Sequence, residues 1–427
     1  MTSQKVMSKS KRLHPAWIAA VITFFTLVAT SGFRAAPSVL IVPLQDYFGW
    51  SRSAISSAVS INVLIYGLTA PFAAALMERF GIRRVVMCAL TIVGSGAWCT
   101  QYISHPWHLA VLWGLIVGGG TGAMALVFAA SVANRWFIQR KGLVIGILTA
   151  ASAAGNLIFL PGLSSLVTRY GWRSVSVTVG LSAWAMVPAI YFFLKESPMH
   201  AAVKPYGAPD DYEYPEVVRR NAGREAIDTL VAAVKVKDFW LLCGSFFVCG
   251  LSTSGLIGTH FIPAAMDHGM VMGTAASLLA LVGVFDVIGT MGSGWLTDRI
   301  DPVKLLFFYY GFRGLSLFLL PSILFQSVHP TTLVFVIFYG LDWVATVPPT
   351  IILCRRVLGP GRGTVVYGWV FAFHQIGGSI AALGGAIIHD KLGNYAAAFY
   401  GAGILCIVAS IAVLQISRTE TNQTVRV

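Results

Sequence analysis

Apolar residues run for long uninterrupted stretches along most of the chain, and polar residues collect in the short gaps between them. A bilayer core of about 30 Å takes roughly 20 apolar residues of helix to cross. Cutting the chain wherever a largely charge-free run meets a loop signal predicts twelve spans: 16–43, 53–77, 85–103, 107–133, 142–168, 174–194, 239–265, 271–296, 305–325, 331–354, 363–389 and 393–415. The fold class is therefore all-α and integral to a membrane, because hydrocarbon forces each crossing segment to satisfy its own backbone hydrogen bonds. The one long polar segment, 195–237, reads as a cytoplasmic linker between a six-helix half at 1–194 and a second at 238–427, with a helix-compatible stretch near 215–236.

Composition narrows the class. Hydrophobic residues make up 56% and charged ones 11%, against about 25% charged in an ordinary soluble domain. That excludes a soluble enzyme, a disordered chain and a fibrous one. The formal charge of +13 would suggest nucleic acid in a soluble protein, but here it lies in short loops and records topology instead. With the N-terminus placed inside, 24 Lys and Arg fall on the inner side and four, Arg52, Arg169, Arg173 and Lys391, on the outer. Both termini are thus expected in the cytoplasm of a cell whose inner (plasma) membrane holds the protein. The run from Pro15 to Pro43 is too long for a signal-peptide core and reads as a retained helix. Six cysteines sit in or beside apolar runs without metal-ligand spacing and read as free thiols.

The chain also repeats itself at an offset of about 220 residues. Ala74, Glu78, Arg79, Gly81 and Arg83 after span 2 are echoed by Gly294, Asp298, Arg299 and Asp301 after span 8; Arg140, Lys141, Gly142 and Gly155 are echoed by Arg362, Gly363 and Gly377. Two equal halves repeated head to tail are the pattern of parallel transporter repeats. On these residues the sequence resembles the major facilitator superfamily over nearly its whole length. Its loop signature G-x-x-x-D-R-x-G-R-R/K is matched by Arg79, Gly81 and Arg83, with departures at Ala74, Glu78 and Ile82. The resemblance implies alternating access, with Glu78, Arg79, Arg83, Asp298 and Arg299 latching the cytoplasmic helix ends. Three segments, GFRAAPSVLIVPLQDYFGWSRSAIS at 32–56, RWFIQRKGLVIG at 135–146 and RYGWR at 169–173, look like the monocarboxylate and oxalate-formate porter branch, which carries small organic anions, often with a proton. That branch often has an Asp and an Arg four apart in helix 8; here Asp286 is followed at that spacing by Thr290.

Charges at membrane depth are costly and are site candidates by default. Helical rise puts Asp286 and Arg313 at matching depths of roughly 12–15 Å, which suggests a gating or structural pair, with Asp286 also a candidate proton carrier. Asp342 and His374 match at roughly 17 Å and suggest a proton-coupling site, or alternatively a capped bend before Pro348 and Pro349 and a satisfied core histidine. Arg34 lies between Gly32 and Pro37, where helix 1 is expected to break, and is the best available counter-ion for a carboxylate. Tyr66, Trp113, Asn156, Tyr339, Trp343 and Gln375 could line the cavity, while His260, near an outer helix end, is expected to meet water. GGGTGA at 118–123 fits a dinucleotide fingerprint only superficially, since no acid occurs between Glu78 and Glu196; close helix packing explains it better. No cofactor, resident metal or enzymatic motif is expected. The reading is a monomeric secondary transporter moving a small organic anion with a proton; the alternative is proton-driven export of a cationic or zwitterionic compound.

Overall fold

The structure is a computed structural model that describes residues 14–124, 126–209, 211–212, 222–359 and 362–417. Its described residues form twelve long helical passes: α1 (Pro15–Phe48), α2 (Arg52–Phe80), α3 (Ile82–Cys99), α4 (106–136), α5 (Lys141–Tyr170), α6 (Arg173–Phe193), α7 (Lys237–Asp267), α8 (Met272–Thr297), α9 (Pro302–Ile323), α10 (Pro330–Leu358), α11 (Gly363–Leu392) and α12 (Ala396–Val413). Nine of the described helices are by length and hydropathy able to cross a membrane. The starts follow local chemistry. Proline occupies the first turn of α1, α9 and α10, where its missing N–H costs nothing. The Ser51 hydroxyl accepts the Ala54 N–H at 3.2 Å to cap α2, and Gly49 and Gly393 take left-handed conformations that end α1 and α11.

The packing repeats with a shift of six helices. In the first half α1 lies against α5, α2 against α4 and α3 against α6; in the second α7 lies against α11, α8 against α10 and α9 against α12. The two halves meet through the reciprocal pairs α2–α11 and α5–α8. Even the irregularities correspond. α4 is interrupted by a turn at Ala123–Met124 and α10 by a turn beginning at Trp343, the same offset of about 220 residues seen in the sequence. The glycines at 118–122 serve contact, as expected: a Cβ on Gly120 would overlap Val93 and one on Gly122 the Thr69 hydroxyl.

An even number of passes puts the first and last helix ends at one end of the bundle, called here the terminal end, with the loops 49–51, 268–271 and 393–395 at the opposite, far end. The start of the linker segment belongs to the first half. Tyr206 exchanges backbone bonds with Trp136 and Ile138 at 2.8 and 3.0 Å, and its ring packs edge-on to His14 and Trp17. The described helix of the segment, Ala222–Ala233, touches both α2 and α11 and accepts the Trp369 indole N–H on the Ala226 carbonyl at 2.9 Å.

Candidate functional site

The break in α10 organises the charges at membrane depth. Interrupting a helix in an apolar medium leaves carbonyls on one side and N–H groups on the other without partners. Arg313 from α9 takes the carbonyl side: its guanidinium donates to the Asp342 carbonyl at 2.6 Å and the Trp343 carbonyl at 3.2 Å. The same side chain donates through Nε to Asp342 Oδ2 at 2.6 Å and through Nη1 to Cys249 Sγ at 3.0 Å, and it is only 1% exposed. Asp286 from α8 takes the other side, accepting the Val344 N–H at 3.1 Å and the Thr290 hydroxyl at 3.0 Å. Ser293, further along α8, donates to the Ala345 carbonyl. A cation at a helix C-terminal end and an anion at an N-terminal end both match the local dipole.

These pairings correct two sequence expectations. Arg313 is bonded to Asp342, not to Asp286, and Asp342 does not face His374. Rise along a helix fixes height, but azimuth decides which neighbour a side chain meets, and Arg313 points at the broken α10. His374 is buried between Phe246 and Phe371, with ring centroids at 4.8 and 5.6 Å, and neither ring nitrogen bonds a described residue. The break in α1 is also absent: the helix runs unbroken through Pro37, with the Ser31 and Ser38 hydroxyls bonding carbonyls one turn back. His260 does not meet water either; it is fully buried and its Nε2 lies 2.8 Å from the Ala382 carbonyl, to which it donates.

Arg34 stands apart from the other charges at this depth. It is exposed in the middle of α1 between the buried residues Phe33, Ala35 and Ala36. Its guanidinium lies 5.7 Å above the Tyr66 ring and pairs with no carboxylate among the described residues. It belongs to the first half, whereas Asp286 and His374 belong to the second. Asn156 and Trp343 are half-buried, as is Tyr66. Trp113, Tyr339 and Gln375 are buried in helix contacts: Asn62 donates to the Trp113 carbonyl at 2.7 Å, Tyr339 donates to the Ser252 carbonyl at 2.9 Å, and Gln375 fills the space over Gly67.

The two ends of the bundle differ. At the terminal end the described parts of α4 (Leu126–Trp136) and α10 (Val347–Leu358) have no substantial packing with helices of the opposite half. The residues expected to latch there form no acid–Arg pair with one another among the described residues: Arg79 stacks on Phe80, Arg83 on Tyr191 and Arg299 on Trp295, and the side chain of Glu78 lies outside the described set. Asp298 ends α8 without an ion pair among the described residues. An acid outside the expected set, Glu196, acts at this end: it accepts the Ile82 and Arg83 N–H groups at the start of α3 and binds Arg135 at 3.0 Å. At the far end the halves are tied. Arg52 of α2 grips Asp267 of α7 with two bonds of 2.6 and 2.7 Å, and donates further to Gln45 and the Tyr395 hydroxyl. Asp390 of α11 accepts the Ser53 N–H at 2.9 Å. Charge counting treats Arg52 only as an outer-loop residue; its position at the start of a helix, beside a Ser cap, is the signal that the count passes over.

The sequence model of the Major Facilitator Superfamily matches residues 19–382, and the chain belongs to that family. It is a multi-pass membrane transporter with two six-helix repeats, not an enzyme. Among its relatives, the uncharacterized MFS-type transporter YcxA of Bacillus subtilis (strain 168) is 24% identical, covering 89% of this chain and 90% of the relative. Monocarboxylate transporter 13 of Rattus norvegicus is 25% identical, covering 92% of this chain and 87% of the relative. The crystal structure of a D-xylose-proton symporter shares the fold with a TM-score of 0.73 at 14% identity, over 95% of this chain and 98% of that one.

Proposed function

We propose that the protein carries a small organic monocarboxylate together with a proton across the plasma membrane by alternating access, as a monomer with both termini in the cytoplasm. The observation that carries this reading is Arg34, a guanidinium exposed at membrane depth with an aromatic ring beneath it and no carboxylate of its own among the described residues. A planar fork in that setting holds a carboxylate bidentately. The similarity to monocarboxylate transporters supports the same substrate class. In the proposed orientation the far end faces outside, so the tied far end and the unpacked terminal end describe an inward-open state.

Asp286 is the better proton carrier than Asp342. Asp342 is committed to a buried Arg, whereas Asp286 is held by two neutral donors and sits across the seam from Arg34. A substrate anion on Arg34 and a proton on Asp286 would offset each other's charge, which couples the two loads. His374, whose ring nitrogens bond no described residue, remains part of the proposed proton site. The half-buried Asp286 also supports the second reading, binding of a cation or zwitterion.

The test is uptake of a carboxylate panel (acetate, pyruvate, lactate, benzoate) and a cation panel by proteoliposomes. Arg34→Gln is expected to raise the KM for the carboxylate at least tenfold. An unchanged KM removes Arg34 from the site, and uptake of cations alone replaces the anion reading by the second.

A further inference from the structure

The far-end tie contains a histidine that the transport reading does not use. His389, on the last turns of α11, places Nε2 3.1 Å from Asp267 Oδ2 and Nδ1 3.8 Å from Asp390 Oδ1, with the side chain 14% exposed. Asp267 is the carboxylate that Arg52 grips from the other half. The groups facing His389 are Arg52 from α2, Asp267 and the buried His260 from α7, Asp390 on its own helix, and the Tyr395 ring at 4.7 Å. His260 is occupied by the Ala382 carbonyl and Tyr395 is neutral, so four groups set the balance.

These groups divide unevenly between the halves. Arg52 alone comes from the first half; Asp267, Asp390 and His389 all come from the second. With a neutral imidazole, one positive charge on the first half faces two negative charges on the second. Protonation of His389 cancels one of the two, and the attraction across the seam falls. When the far end opens, Arg52 leaves and the imidazole is left with both carboxylates and no cation beside it. The open state therefore binds the proton more tightly than the closed state, and by linkage the proton favours opening.

We propose that His389 is a proton-binding site that unlatches the far end: the imidazolium and Arg52 compete for Asp267, so acidification releases the two halves from each other there. This site is separate from the proposed substrate site at Arg34 and does not depend on the substrate class. A tenfold preference of the proton for the open state corresponds to one unit of proton affinity and shifts the open-to-closed ratio by up to tenfold across the titration.

The experiment uses the full chain in nanodiscs without substrate. Spin labels are attached to cysteines replacing His105 and Ser327, two exposed residues in far-end loops of opposite halves, in a background where the exposed Cys88 and Cys99 are serine. Pulsed electron–electron distance distributions are recorded at pH 8.0 and 5.5. The expected result is a rise of at least fivefold in the long-distance, far-open fraction at pH 5.5. His389→Gln should flatten that change to less than twofold, and His389→Lys, with a permanent charge, should hold the raised open fraction at both pH values. A wild-type distribution that does not change, or that closes with acid, overturns the proposal without any variant. So does a full pH response in His389→Gln; should that variant fail to fold, a pH-responsive His389→Lys overturns it equally.

Discussion

The Arg313–Asp342 pair makes the most quantitative prediction about stability. Replacing Asp342 with Leu strands a buried guanidinium beside two carbonyls that it still caps; replacing Arg313 with Met strands a carboxylate and uncaps both carbonyls. Removing one partner of a buried ion pair costs about 3–5 kcal/mol. Each unbonded carbonyl adds about 1–3 kcal/mol, because lipid and packed side chains offer no replacement donor. Arg313→Met is thus the costlier single change. In the double variant the stranded charges vanish together, leaving the uncapped carbonyls, so the double should cost no more than Arg313→Met alone. The coupling energy, the excess of the summed singles over the double, should be at least about 3 kcal/mol, the low end of the cost of Asp342→Leu alone. Unfolding in mixed micelles with increasing SDS, followed by tryptophan fluorescence, gives the three differences. Additivity within about 0.5 kcal/mol would show that the two side chains do not act as a pair and would refute the assignment.

Asp286→Asn retains a side-chain oxygen that can accept the Val344 N–H but removes the ionisable group; proteoliposomes should lose uptake driven by a pH gradient while keeping substrate exchange, and retained concentrative uptake would exclude Asp286 as the carrier. Gly250→Ala would drive a Cβ into the His374 carbonyl where α7 crosses α11, so it should lower the apparent Tm of the purified protein and its folded yield; the overpacking cost is about 1–3 kcal/mol or more. An unchanged Tm would mean that the crossing is looser than described.

Much of the architecture is legible in the chain. The spacing of apolar runs predicts twelve passes because the bilayer imposes one length on each, and the 220-residue echo predicts the two halves; the matching interruption in α4 is a finding of the structure. Pro348 and Pro349 already mark the α10 break, since neither can donate to the preceding turn. The pairing of the charges is not legible. Depth along an axis follows from counting residues, but the direction in which Arg313 points depends on how α9 is rotated against α10, and no single-helix pattern encodes that. The same limit hides the far-end tie, whose members come from 52, 267 and 389–390. Glu196 escapes notice for a different reason: it lies where the last helix of the first half gives way to polar chain, and its partners are mostly backbone N–H groups at the start of α3, which carry no side-chain signature.

The seam between α2 and α11 joins the halves through small groups. Gly67 lies under Gln375, Val63 touches Gly378, and the Ser60 and Ser379 hydroxyls share one bond of 2.8 Å. Small side chains and a lone hydroxyl contact give little angular preference, because dispersion between such surfaces changes little as they roll a few degrees. The seam can therefore act as a bearing at mid-height, while the charged ties described between the halves gather at the far end. An enlarged residue at Gly67 would add friction rather than remove a bond: ligand affinity in either state would survive while the turnover between states slowed.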